Sequence, residues 1–534
     1  MYPSVLGEVM HDVADRPVPQ PARPPTLTRA EALAIAGTAV GFVVTAIVVL
    51  WKQWAAIGDI AMMEMLARDV PGHLPLVGVY SRFGWSHPGP LQIWWLAGFL
   101  RVFGPHGLMV GALAWHLVAV LAAWWMARRI ARIAGWCVLI SMLSLLAAAT
   151  AQMAHSPWNP YVALVGAGAL IMAAWATAER QPCAPVALVV FGSMLVQAHT
   201  ATAPLVAVVA VAGVCLAVTT SRREGGPIMS RRSLDAAVGV GLVLWIGPVL
   251  DQVLSDAPNA MLWQMGGRGP QVGFAQATST LTRSFALLPS WLTADGPGLP
   301  LVGTAWAVPV WLLVPIGGAL AAVMRRDWPF IRGSILSAVS LAGAVVTSAM
   351  IRGDFHGHLA VIQRPVAALA MAVGAASLIR NLRWTATPSI RVRRLASMAA
   401  VVVVGALAAT VCIRQYVEDD REESNPVLIE LADQAAARLD VNDPLVFWAP
   451  VSPENWYAPL YGLMAQLEQR GFEVSQLHAN PRTMGAHRVA DDDDPGIDIA
   501  VVKGPIGSDR AGWEVVATAG GPEPMSVVVR PRAG

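Results

Sequence analysis

Long apolar runs broken by short polar connections fill the first 415 residues. A bilayer core about 30 Å thick needs roughly 20 apolar residues as helix. Stretches of that kind lie near residues 31–51, 107–127, 134–152, 161–178, 185–201, 203–219, 234–253, 302–323, 332–350, 363–380 and 395–414, eleven in all. A further stretch, Leu91 to Phe103 (LQIWWLAGFLRVF), is short and rich in tryptophan. Its pattern predicts an interfacial or re-entrant helix rather than a span. Beyond Tyr416 the pattern changes. Asn425 to Leu439 carries apolar residues at helical spacing, and ENWYAPLYGLMAQLEQ reads as a second helix. Short runs at 444–450, 472–478, 497–503, 513–519 and 525–531 read as strands. The predicted fold is mainly α: a polytopic transmembrane helical bundle of about 11 spans, with a small extracytoplasmic α/β domain at the C-terminus.

Arginine sets the predicted orientation. With the N-terminus inside, the cytoplasmic connections are ARRIAR (127–132), ERQPCA (179–184), SRREGGPIMSRRS (221–233), MRRDWPFIR (324–332) and IRNLRWTATPSIRVRR (379–394). Each contains arginine, as the positive-inside bias requires. Counting 91–103 as a span would break that pattern. The expected division is a cytoplasmic tail (1–30), a membrane domain (31–415) with a first outer loop at 52–106, and an extracytoplasmic domain (416–534). The expected location is the plasma (inner) membrane, multi-pass.

Composition agrees with a lipid-embedded chain: 55% hydrophobic, 13% charged, mean hydropathy +0.53, against about 25% charged in soluble domains. A net charge of +2 gives no reason to expect nucleic acid. The four cysteines have no disulfide or zinc spacing.

Polar chemistry gathers in the loop GDIAMMEMLARDVPGHLPLVGVYSRFGWSHPGP (58–90) and in AQMAHSPWNPY, QAHTATAP, QMGGRGPQVGF and RGDFHGHL. All lie on the expected outer face, as an outward cavity requires. Asp59 stands just beyond the first span, where partial desolvation raises a carboxylate toward a useful base; it also fits a helix N-cap. Glu64 is the second acid candidate, and it has Arg68 one turn on as an ion-pair partner. Arg82, Arg268 and Arg352 suit a phosphate through their rigid fork, or equally interfacial snorkelling. His87 and His199 join them as candidate phosphate contacts. Tyr80, Trp85, His155, Trp158, Asn159 and His356 are candidate substrate contacts, with tryptophan serving either the aromatic belt or a sugar face. The residues Asp354, His356 and His358 are of metal-binding type, but HxH in a loop is a weak signal, and no metal ligand is assigned.

A span followed by an outer loop with an early aspartate (GDIAMMEMLARD), a short juxtamembrane helix and a multispan body resembles the GT-C superfamily of membrane glycosyltransferases. PLVGVYSRFGWSHPGP, HSPWNPY, QAHTATAP and PVLDQV are similar to an actinobacterial multispanning group within it. The resemblance spans about residues 30–415. It implies transfer of a sugar from a polyprenyl-phosphate donor to a hydroxyl of a cell-envelope glycan or glycolipid, with inversion. Asp59 is then the general base, and arginine or histidine neutralises the leaving phosphate. Many members carry adjacent acids here, whereas this chain has Asp59 and, five positions on, Glu64, so either acid and a divalent metal stay open. Arabinofuranose and mannose are the sugars the resemblance favours. A transporter or flippase of lipid-linked intermediates, or a non-catalytic glycan-assembly partner, would share the spans and the cavity.

Overall fold

A computed structural model describes residues 26–81, 83–261, 269–292, 306–382, 389–417, 424–448, 457–503, 512–520 and 524–532. Each of the eleven apolar stretches contains a helix, although residues 302–305 lie outside the described set. Among the described residues, six helical runs are long and apolar enough to cross a membrane: Arg29–Leu50, Leu91–Ile130, Asn159–Ala178, Thr200–Glu224, Trp328–Ala349 and Ile390–Val417. The bent pair Arg231–Leu244 and Ile246–Leu254 makes a seventh. Arg132–Ala148, Ala184–Ala198 and Val310–Arg325 are shorter apolar helices. The chain is a multi-pass membrane protein.

The run Leu91–Ile130 is not straight. Trp95 donates its indole N–H to the Gly111 carbonyl at 2.8 Å, whereas residues sixteen apart in one helix are about 24 Å apart. The Leu91–Phe103 helix therefore folds back on the helix Gly107–Ile130. Gly107 permits this, because a Cβ there would strike the Phe99 carbonyl.

One end of the bundle is closed by ion pairs. Thr28 and Glu31 form a reciprocal capping box at the first helix, and Glu31 also accepts from Arg128 at 2.8 Å. Arg332 bridges Glu179 (2.6 Å) and Glu224 (3.3 Å), while Arg380 meets Asp327 at 2.7 Å. Gln181 donates to the Met126 carbonyl and links the two groups. Buried charge is tolerated only when paired in this way.

The described residues of the C-terminal part form a six-stranded sheet: β1 (Leu445–Phe447), β2 (Val474–Leu477), β3 (Val489–Ala490), β4 (Ile497–Lys503), β5 (Glu514–Ala519) and β6 (Met525–Pro531). Their order is β3-β2-β1-β4-β6-β5. The first four are parallel and the last two antiparallel. Strand β3 is two residues long, too short for the sequence pattern to show. The helix Tyr457–Gln469 follows β1 and packs on the helix Gly58–Arg68 of the membrane part, with the Ala458 side chain against Gly58.

That contact is pinned by a buried fork. Arg488, 2% exposed, donates to both oxygens of Asp69 at 2.8 Å and to Glu468 at 2.5 Å. The His487 ring stacks on His73 beside it, centroids 4.0 Å apart. Replacing Arg488 by Met strands Asp69 without its countercharge, which costs about 3–5 kcal/mol. We expect a lower melting temperature and faster proteolysis after residue 424, with Asp69→Asn in the same chain recovering part of the loss. Unchanged melting and proteolysis would show that apolar contact alone holds the sheet in place.

Candidate active site

The elements just described enclose a cavity of about 1220 Å³. Its wall is drawn from the Gly58–Arg68 helix, the segment 80–87, residues 158–160 and 199–204, the segment 347–359, and the C-terminal residues 461–483. Asp59 occupies the first turn of its helix, open to the cavity yet enclosed by protein. Burial pushes its carboxyl above the ordinary value, opposed by a 2.9 Å hydrogen bond from the Trp158 indole N–H to Oδ2. Trp158 in turn lies against His358 (centroids 4.5 Å), which stacks on His356 at 5.5 Å.

The segment 78–87 is a hairpin. The Gly78 N–H donates to the His87 carbonyl and the His87 N–H to the Val79 carbonyl, both at 2.8 Å, while Tyr80 pairs with Ser86. Asn259 clamps the turn from outside, accepting from the Ser86 N–H (2.8 Å) and donating to its carbonyl (2.7 Å). The hairpin thereby presents Tyr80, Trp85 and His87 to the cavity.

His87 has a defined tautomer. The Thr200 backbone N–H donates to Nδ1 at 3.2 Å, so the ring proton belongs on Nε2. Burial, and then the neighbouring His199 ring 4.7 Å away, hold His87 well below its ordinary pKa. Burial and then His358 lower His199 to about 4. Both rings are neutral donors or acceptors at neutral pH. Among the described residues of the wall, Arg352 supplies the permanent positive charge. Its segment is fixed by short pairings, Val272 N–H to the Ile351 carbonyl (2.9 Å) and Gly353 N–H to the Pro270 carbonyl (3.0 Å).

Of the residues expected to act, Asp59, Tyr80, Trp85, His87, Trp158, Asn159, His199, Arg352 and His356 all line this one cavity. Glu64 does not. It is fully buried, accepts from Arg68 (2.7 Å) and from Gln469 of the C-terminal part (2.6 Å), and burial raises its pKa against the pull of Arg68. His155 is also absent from the wall; its Nδ1 meets Gln415 on the helix Ile390–Val417. Arg82 and Arg268 lie outside the described residues. Tyr461, Gln476, His478, Asn480 and Thr483 also line the wall, and no local pattern in the sequence marked them. Among the described residues, no three His, Cys, Asp or Glu side chains converge as a metal site.

The fold has solved counterparts. ArnT from Cupriavidus metallidurans in the apo state aligns over 94% of this chain and 98% of its own, at 16% identity and a TM-score of 0.56. The same protein bound to undecaprenyl phosphate aligns over 93% and 98%, at 15% identity and a TM-score of 0.54. The chain has a GT-C fold. Arabinofuranosyltransferase AftD from Mycobacteria aligns over 96% of this chain and 40% of its own, at 13% identity and a TM-score of 0.48. No family model matches the sequence, and no curated protein sequence matches it. Within this GT-C fold the base of the hairpin is tightly packed. A Cβ at Gly78 would lie 2.8 Å from the Gly89 carbonyl oxygen and 3.0 Å from the His87 Cβ. Gly78→Ala is therefore expected to cost about 1–3 kcal/mol, the usual toll of overpacking, read as a lowered melting temperature. Wild-type melting would show that the hairpin can shift freely.

Proposed function

We propose that the chain is a membrane glycosyltransferase that moves a sugar from a polyprenyl-phosphate donor to a hydroxyl of a cell-envelope glycan or glycolipid. The reading rests on one observation: a carboxylate with a raised pKa, Asp59, shares a large cavity with Arg352 and two neutral histidines. In this reading the cavity faces the extracytoplasmic side, the N-terminus is cytoplasmic, about eleven helical segments traverse or enter the bilayer, and residues 416–534 cap the outer face. The ArnT structure that holds undecaprenyl phosphate supports a lipid-phosphate donor for this fold.

The reaction is a single displacement. Asp59 takes the acceptor proton as the acceptor oxygen bonds to the anomeric carbon. The bond from that carbon to the phosphate oxygen breaks, and its electron pair stays on the phosphate. Attack from the opposite face inverts the anomeric centre. The Arg352 guanidinium and the His87 Nε2–H stabilise the charge that develops on the leaving oxygen, a role that strengthens with exclusion of water. No step requires Glu64, which is held in its ion pair. Arabinofuranose or mannose is the proposed sugar on the sequence resemblance alone.

Purified protein in proteoliposomes, supplied with polyprenyl-phosphoryl arabinofuranose or mannose and an envelope glycan acceptor, tests the proposal. Asp59→Asn is expected to lower transfer by about 10²–10⁴-fold, the range of a lost general base. Transfer unchanged in the variant removes Asp59 from that role. Lipid crossing the bilayer without sugar transfer points to a flippase. The base works deprotonated, so activity is present above its pKa and lost as pH falls through it. That acid limb is expected above the ordinary carboxylate value of about 3.9. Trp158→Phe removes a donor to the carboxylate and moves the limb higher still; a limb that stays put assigns it to another group.

A further inference from the structure

We infer that the C-terminal part of the cavity wall is a binding subsite for an uncharged, hydroxyl-rich saccharide, the acceptor in the proposed reaction. The inference rests on that reading for the word acceptor, but the subsite stands on its own residues.

Three observations carry it. First, the polar wall residues from this part are Tyr461, Gln476, His478, Asn480 and Thr483, which stand with Ala479, none with a permanent charge. Their hydroxyl, amide and imidazole groups both donate and accept, which matches sugar hydroxyls. Second, Gln476 lies on β2, 6% exposed, and lines the cavity, and its buried Oε1 has no hydrogen-bond partner among the described residues. A buried acceptor left unmade costs stability, and a ligand O–H would satisfy it. Third, Asp59 stands at the seam between two unlike walls. Its helix leans on Ala458 through Gly58 and on Gln469 through Glu64, while its carboxylate touches Trp158, which leads to His358, His356 and His199. A general base must reach the proton of the nucleophile, which enters opposite the leaving group. With Arg352 and the histidines holding the anion, the neutral wall is left for the nucleophile.

Tyr80 joins the walls. The Asn480 side-chain amide donates to its hydroxyl oxygen at 3.2 Å. That contact uses the Tyr80 oxygen as acceptor and leaves its O–H to donate to a ligand.

The full-length protein in nanodiscs, without donor, can be titrated with α-1,6-mannotriose, α-1,5-arabinofuranotriose and the acidic trigalacturonate, followed by tryptophan fluorescence. We expect a neutral trisaccharide to bind and trigalacturonate to bind at least tenfold more weakly. Gln476→Ala should weaken neutral binding about tenfold, the effect of one hydrogen bond to a buried group. Thr483→Val gives the same reading by a smaller factor and carries the test if the first variant does not fold. Preference for trigalacturonate, or neutral binding unmoved by both wall substitutions, overturns the inference. Sugar transfer that persists with unmoved affinity sinks the subsite and spares the enzyme reading. Binding that behaves as expected in a protein that transfers nothing does the reverse.

Discussion

The cavity exists because a domain built for water is held against a bundle built for lipid, and Arg488 does the holding. Its guanidinium is almost wholly buried and meets Asp69 through both oxygens, with Glu468 as a second acid. Neither partner could be buried alone. Together they fix the sheet to the far end of the helix that carries Asp59, so one interaction sets the distance between the two walls. Glu64 and Gln469 repeat the device one and a half turns earlier.

The Gly58–Arg68 helix and its C-cap Asp69 thus carry three acids with different fates. Residues five apart on a helix are rotated by about 140° from each other, so Asp59, Glu64 and Asp69 face three directions. Glu64 and Asp69 are spent in pairs at the domain contact. Among the described residues, Asp59, on the remaining face, meets the Trp158 indole N–H and the open cavity. The same helix therefore supplies both the clamp and the candidate base, and the rotation between them keeps a countercharge away from the base.

Much of this was legible in the sequence. Apolar runs located the helices, and five short runs located five of the six strands. Polar residues in 58–90, 158–159, 199 and 352–356 pointed to one cavity because lipid excludes them from elsewhere. What escaped depends on contacts across hundreds of residues. Glu64 read as a possible base, since nothing local shows that Gln469 will cover it. His155 sits in a histidine-bearing motif beside Trp158, yet it turns to Gln415 on the last long helix. Gln476 and Thr483 are ordinary residues of an α/β domain until its docking places them opposite Tyr80. The span count also exceeds what periodicity can settle, because several apolar helices are shorter than a bilayer and one is bent.

The Tyr80–Asn480 contact joins residues 400 positions apart. During synthesis, the segments that present Asp59, His87 and Arg352 are complete long before β2 leaves the ribosome. Until then the bundle has an open trough where the finished protein has a chamber. A chain cut short anywhere before residue 457 would lack the wall that Tyr461, Gln476, His478, Asn480 and Thr483 supply.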